Sequence, residues 1–224
     1  MSKICKIMQP AGVGDIFFTQ KIAHHYINLG YQVIWPVSDV YLFLNEYMGT
    51  DNLKFVSSSE HFNSDLEINL DGAHFHIGKK PIMTSKYLKY GLDHNDWQDY
   101  FLFRRNTEKE KQLFELLTKN QPYIFVNKKY GSPPSYSVRD TVTNSIIDKS
   151  LPIVELDFLE DYTIFDWCLI LENAEEIHTI DTSINYIFDK INLKTEKIFV
   201  YPRLGDETIF HLDGLFKTQF KWMK

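Results

Sequence analysis

Three short stretches hold side chains whose types and spacing can do chemistry. In the first, Gly12-Val13-Gly14-Asp15, two glycines bare the backbone beside a carboxylate. Glycine permits backbone angles or close approaches that a Cβ would block, and Asp15 stands where an N-cap or first-turn carboxylate belongs. In the second, Lys128 and Lys129 open a polar loop running to Ser135, just past an apolar run, where an anion can dock. In the third, Asp181-Thr182-Ser183 lies between a strand pattern and a helix pattern. Hydroxyls and unpaired N–H groups at a helix start suit a phosphate. The same residues also serve as ordinary helix caps, and the stretch alone fits both readings. With the two lysines at the same sheet edge, two loops can grip one diphosphate.

Other chemistry fits less well. A dinucleotide fingerprint needs a third glycine where Phe17 stands, and an acidic residue where Pro36-Val37-Ser38 follow the second strand. A glycine turn that only lets strand and helix pack is the plain alternative. His74 and His76, two apart, can put two imidazoles on one strand face, but no Cys, Asp or Glu completes a ligand set at the usual spacing. No metal and no cofactor are expected.

The elements that must position these residues alternate along the chain. An apolar run from Ile4 to Met8 predicts a buried strand, and apolar residues from Ile16 to Leu29 recur at helical spacing until Gly30. Gln32–Val37 predicts the next strand, completing a βαβ unit whose turn sits at the carboxyl end of a parallel strand, where α/β proteins bind ligands. A helix over 38–47, strands over 53–56 and 67–70, and helices over 81–92 and 107–119 follow; the last has Leu113, Phe114, Leu116 and Leu117 as its apolar face. After Pro122 the alternation restarts, with strands at 123–127, 151–156, 176–180 and 197–201 and helices at 163–172 and 184–190. The expectation is a mostly parallel α/β protein of two similar lobes, 1–120 and 121–224.

Composition sets the outer bounds. The chain has 224 residues, 44% hydrophobic and 15% aromatic, enough for one large core or two small ones. Its net charge of −6 and the lack of any Lys/Arg run longer than two argue against a stable nucleic-acid partner. Cys5 and Cys168 both sit in apolar patterns and read as reduced core residues of an intracellular protein. There is no signal-peptide pattern, and no apolar run approaches the ~20 residues of a membrane span. A soluble, cytoplasmic protein is expected.

Gly12-Val13-Gly14-Asp15-Ile16-Phe17-Phe18-Thr19 resembles the amino-terminal signature of the ADP-heptose:lipopolysaccharide heptosyltransferase group, glycosyltransferase family nine. The stretch from Trp167 through Asn173-Ala174-Glu175-Glu176 to Asp181-Thr182-Ser183 and Tyr186 is similar to that family's second signature. The resemblance implies a GT-B architecture, two Rossmann-like lobes facing across a cleft, with the acceptor on the first lobe and a nucleotide-sugar donor on the second. It implies Asp15 as general base, with Gly12 and Gly14 beside it. Lys128 or Lys129 and Asp181, Thr182, Ser183 and Tyr186 become donor contacts. Ser183 replaces the family's usual glycine, Tyr186 replaces its histidine, and the chain is short for two full lobes, so a distant, compact relative is implied.

An inverting transfer needs a base for the acceptor hydroxyl, which a carboxylate supplies, and cations for the leaving diphosphate, which lysines supply without a metal. No Asp-x-Asp metal motif occurs. Loops from 71 to 97, with His74, His76, His94 and Trp97, are the expected acceptor contacts. The competing expectation is a non-catalytic nucleotide or sugar-phosphate binding module of the same fold.

Overall fold

The apolar residues near the amino terminus form β1 (Lys3–Met8), with Cys5 and Ile7 fully buried. In the computed structural model, described for residues 3–9, 12–72, 80–132, 135–146 and 149–223, the chain divides into two units, Met1–Arg104 and Arg105–Lys224. His74, His76, Pro10, Ala11, Pro133 and Pro134 lie outside the described residues.

In the first unit β1 is followed by α1 (Val13–Phe18) and α2 (Gln20–Asn28), then β2 (Tyr31–Val37), β3 (Leu53–Ser57) and β4 (Leu66–Asn69). One helix was expected from 16 to 29. The break falls at Thr19, whose N–H (3.1 Å) and hydroxyl (2.7 Å) both donate to the Asp15 carbonyl. Gly30, at φ +87°, supplies the left-handed turn into β2. The expected helix over 38–47 is a 3-10 turn at Asp39–Tyr41 and the short α3 (Leu44–Tyr47). Among the described residues all pairs of these strands are parallel, in the order β3-β2-β1-β4. Further helices are α4 (Ile82–Leu88) and α5 (Trp97–Tyr100), the latter starting at Trp97, the last residue of an expected loop.

The second unit opens with α6 (Thr107–Thr118), which the sequence reading assigned to the first lobe. It packs instead on the 3-10 turn Ile164–Trp167 and on α7 (Cys168–Asn173), burying Leu113 and placing Phe114 6.1 Å from the Tyr123 ring. Leu116, expected on its apolar face, is exposed; the buried companion of Leu113 is Glu110, one turn earlier on the same side. The division therefore falls between two neighbouring arginines that serve different units. Arg104 donates to the carbonyls of Asn45, Glu46 and Gly49 at the end of α3. Arg105 forks onto Glu110 and onto Glu172 (Nη1 2.7 Å, Nη2 2.9 Å), and these hydrogen bonds hold its own pKa above the usual value.

The strands of the second unit are β5 (Ile124–Asn127), β6 (Lys129–Ser132), β7 (Ser135–Val138), β8 (Ile153–Glu155), β9 (Glu176–Ile180), β10 (Ile198–Tyr201) and β11 (Lys221–Trp222). Five of them form a parallel sheet in the order β11-β10-β9-β5-β8, while β6 and β7 pair as an antiparallel hairpin where a polar loop was expected. Helices α8 (Ile184–Phe188) and α9 (Asp206–Leu212) complete the set among the described residues. Every residue of β9 is buried, as expected of a parallel strand covered on both faces. Its polar members are paired: His178 Nδ1 lies 2.9 Å from the Tyr201 hydroxyl and Nε2 lies 3.2 Å from Glu176, and burial pushes the imidazole pKa down. Cys5 and Cys168 are both free and buried, and burial pushes the Cys5 thiol up to about 12. Among the described residues no helix is long and apolar enough to cross a membrane.

Candidate functional site

Each sheet has one place where the strand order reverses, and ligands of parallel α/β sheets bind outside the carboxyl ends of the strands there. In the first unit β2 and β3 extend to one side of β1 and β4 lies on the other, so the reversal is at β1/β4. The chain leaving β1 runs through Gly12, the N-cap of α1, to Asp15 in its first turn. Gly12 has an unremarkable φ of −66°, and a Cβ built there meets nothing within 4 Å. Packing among the described residues does not require a glycine at this point, unlike the expectation of a strained or crowded turn. Gly14 lies inside the same helical turn, again without a positive φ.

The Asp15 carboxylate is not a cap. It accepts from the Lys86 ammonium, brought by α4, whose side chain is 4% exposed against 22% for Asp15. Among the described residues the one other polar contact of Lys86 is Met83 Sδ at 3.8 Å, and burial pushes the ammonium down to about 7. The residues just past α4 meet the reversal point too, since Lys89 Nζ (2.8 Å) and the Tyr90 hydroxyl (2.7 Å) donate to the carbonyl of Asn69 at the end of β4. Trp97, expected as an acceptor contact, is core: it lies 5.5 Å from Phe18 and 6.1 Å from Phe101 and is buried. His94 stays part-exposed beside Phe18 and Tyr87, with its pKa lowered by burial.

In the second unit β8 lies on one side of β5 while β9, β10 and β11 extend on the other, so the reversal is at β5/β9. Two of the sequence-predicted stretches leave these two strands. A side chain the sequence reading passed over joins them: Asn127, fully buried, donates from Nδ2 to the hydroxyls of Thr179 (3.1 Å) and Thr182 (3.0 Å), while its Oδ1 accepts from the Lys129 N–H (3.1 Å). Lys128 Nζ lies 2.8 Å from Glu155 and 3.9 Å from Asp140, and Lys129 pairs with Asp157 over the Tyr136 ring. Both lysines stand just past the carboxyl end of β5, each with a carboxylate partner.

The remaining predicted residues do different things. Ser183 begins α8 without a side-chain capping bond, and α8 is only five residues long, shorter than the expected 184–190. Asp181 is buried and takes both the N–H and Nε of Arg203 rather than standing open at the turn; burial raises its pKa while Arg203 opposes that rise. Tyr186 is buried with its ring edge-on to Phe216 at 5.1 Å. Next to the Thr182 turn, Asn185 is buried with neither amide atom bonded among the described residues, although buried amides normally find a partner.

Four side chains of these two places escaped the sequence reading: Lys86, Asn127, Arg203 and Arg139, whose Nη1 donates to the Pro202 carbonyl beside Arg203 at 2.6 Å. Asn127 was legible, being a polar residue at the end of an otherwise apolar strand. The other three are isolated basic residues with no local pattern, and only tertiary packing reveals their partners.

No family model and no curated protein matches the sequence. Solved structures do. A glycosyl transferase family 9 protein from Veillonella parvula DSM 2008 superposes with a TM-score of 0.60 at 9% identity, covering 99% of this chain and 86% of its own. The chain shares the fold of that protein. The iron-containing dodecameric glycosyltransferase TibC from enterotoxigenic E. coli H10407 superposes at a TM-score of 0.50 and 8% identity, and TibC in complex with ADP-D-β-D-heptose at 0.51 and 7%. The chain covers 58% and 59% of these TibC chains, so it spans less than three fifths of TibC's length. At such identities the likeness is one of fold. Among the described residues no group of three or more His, Cys, Asp or Glu is placed to hold a metal ion.

Proposed function

We propose that the protein transfers a glycosyl group from a nucleoside-diphosphate sugar to an acceptor hydroxyl, with inversion and without a metal. The observation that carries this reading is the join at β5/β9. There a buried asparagine ties the Thr182 turn to the strand that delivers Lys128 and Lys129, at the place where such sheets take ligands. The family 9 fold supports it, as does the ADP-heptose bound by the neighbour TibC. The first unit, with Asp15, serves the acceptor, and the second, with Lys128, Lys129, Thr182 and Ser183, serves the donor. Closure of two units across a cleft, the GT-B arrangement implied by the family resemblance, is part of the same proposal. So is a cytoplasmic location.

In the proposed reaction Asp15 takes the proton of the acceptor hydroxyl as that oxygen bonds to the anomeric carbon. The bond from that carbon to the phosphate oxygen breaks, and the nucleoside diphosphate leaves with the electron pair. Lysine and hydroxyl donors at the β5/β9 edge stabilise the charge that grows on it. Lys86, in contact with the Asp15 carboxylate, holds it in place at the start of α1.

The ion pairs that occupy Asp15, Lys128 and Lys129 favour one second reading, a binding module that holds a nucleotide sugar without turning it over. A thermal-shift screen against nucleotide sugars, followed by assay of nucleoside diphosphate release, separates the two. A ligand at ~100 times its Kd stabilises by about 2.7 kcal/mol. A shift with release is the expected result, a shift without release favours the module, and no shift with any nucleotide sugar removes both.

A further inference from the structure

We propose that Arg203 is an anion contact of the donor site, held in place by Asp181, so that Asp181 acts as a strut beneath the diphosphate. This rests on the donor reading of the β5/β9 edge. Position comes first. Arg203 is two residues past β10, the strand beside β9, so the ends of β5, β9 and β10 present Lys128, Thr182 and Arg203 in series along one sheet edge. At a spacing of about 4.8 Å per strand that row spans roughly 10 Å, a reach suited to a diphosphate and its flanking groups.

The second argument is how firmly the arginine is built in. The Asp181 side chain is 1% exposed and its two oxygens take the Arg203 N–H and the Nε (2.8 Å). The preceding carbonyl, of Pro202, accepts from Arg139 Nη1 at 2.6 Å, and the following N–H, of Leu204, donates to the Thr208 hydroxyl at 3.1 Å. The guanidinium carbon lies 5.9 Å from the centre of the Tyr130 ring, on the hairpin that grows from β5. The backbone on both sides of Arg203 is thus pinned, and its Nε edge is spent on a carboxylate fixed within the protein.

Donor geometry supplies the third argument. A guanidinium offers five N–H donors in a rigid plane, and a bond through Nε leaves Nη donors for another acceptor. Arg203 is 43% exposed, and among the described residues it makes no side-chain hydrogen bond or ion pair beyond Asp181. A lone charged surface arginine would not need a buried carboxylate beneath it, since burying a carboxylate is costly unless it is paired. Here that cost goes into aiming one cation at the edge where Lys128 and Lys129 are already occupied by Glu155 and Asp157.

The test is calorimetric titration of the full chain with ADP, GDP, UDP and CDP, the tightest one then being compared with its nucleoside. Arg203→Ala is expected to weaken the diphosphate by about tenfold to a hundredfold, the range for losing a hydrogen bond to a charged group, and to leave the nucleoside unchanged. Arg203→Lys is expected to weaken it nearly as much, because an ammonium cannot make the Nε bond and also present a fork. The double variant Arg203→Ala/Asp181→Asn removes the unpaired buried carboxylate and gives the same loss should the single variant fold poorly. Undiminished diphosphate affinity in the folded variants, with Thr182→Ala and Lys128→Ala still weakened, overturns the role of Arg203 and leaves the donor reading standing. If the unaltered protein binds none of the four, both are overturned.

Discussion

In the first unit the candidate carboxylate, Asp15, is held by a lysine 71 residues away on a helix that crosses the β1/β4 reversal, whereas in the second unit the candidate anion contacts lie within a few residues of their own strand ends. Both places follow the first strand of their unit, and both lie at a reversal of strand order. The difference is in what holds the functional groups. Among the described residues Asp15 depends on one buried lysine, Lys86, whose one carboxylate partner it is. The β5/β9 edge depends on Asn127, a neutral side chain whose donors and acceptor are used within the sheet and the adjoining turns. A buried ion pair responds sharply to loss of either member, while a neutral network responds by losing one hydrogen bond at a time.

The largest effect expected from this contrast is on turnover. Asp15→Asn removes the proposed proton acceptor, so release of nucleoside diphosphate from a nucleotide sugar should fall roughly 10²- to 10⁴-fold. Turnover near that of the unaltered protein would move the base elsewhere and leave the β1/β4 site structural.

The same substitution also strands the buried Lys86. Asp15→Asn should lower stability by about 1–3 kcal/mol, the cost of leaving a buried polar group without its partner. Lys86→Met introduced with it should restore most of the loss while turnover stays low. Urea unfolding of the two single variants and the double closes the cycle, and additive losses would show that the pair is not coupled.

How much of this was legible in the sequence follows from the same contrast. Most of the strands came from apolar runs and their mostly parallel sense from the alternation with helices, and Gly12, Asp15, Lys128, Thr182 and their neighbours came from local spacing at strand ends. The hairpin β6/β7 was missed because its residues do not alternate between a buried and an exposed face: Lys129 and Tyr130 are half-buried, whereas Tyr136 and Val138 are exposed. The division of the chain was placed after α6 because Pro122 looks like a boundary. The packing of Leu113 and the fork of Arg105 onto Glu172 put that helix in the second unit. Lys86 had no sequence signal at all, since a lysine inside a short helix reads as a solvated one.

A smaller effect is expected from pH. Burial pushes the Lys86 ammonium from its ordinary value of 10.5 down to about 7 in the folded chain. Between these values the unfolded chain binds more protons, so stability rises with pH there. The penalty is full below pH 7 and is relieved as pH climbs. Urea midpoints from pH 6.5 to 8.5 should rise less in Lys86→Met than in the unaltered chain; parallel curves would mean that Lys86 stays charged throughout, held by Asp15.

The smallest effect is at Gly12. With an ordinary φ and open space for a Cβ, Gly12→Ala should be tolerated and should stabilise by about 0.4–1 kcal/mol through the unfolded chain. A loss of turnover in that more stable variant would mark Gly12 as a point of ligand approach, and a loss of stability would show that the turn needs glycine after all.

The division of labour between the two units is tested most directly by calorimetric titration of nucleoside diphosphates into three proteins: the unaltered chain, Thr182→Ala and Asp15→Asn. Binding to the unaltered chain, weakened about tenfold or more by Thr182→Ala and kept by Asp15→Asn, is the predicted result. Binding lost with Asp15→Asn and kept with Thr182→Ala would place the nucleotide on the first unit and contradict the assignment of donor and base.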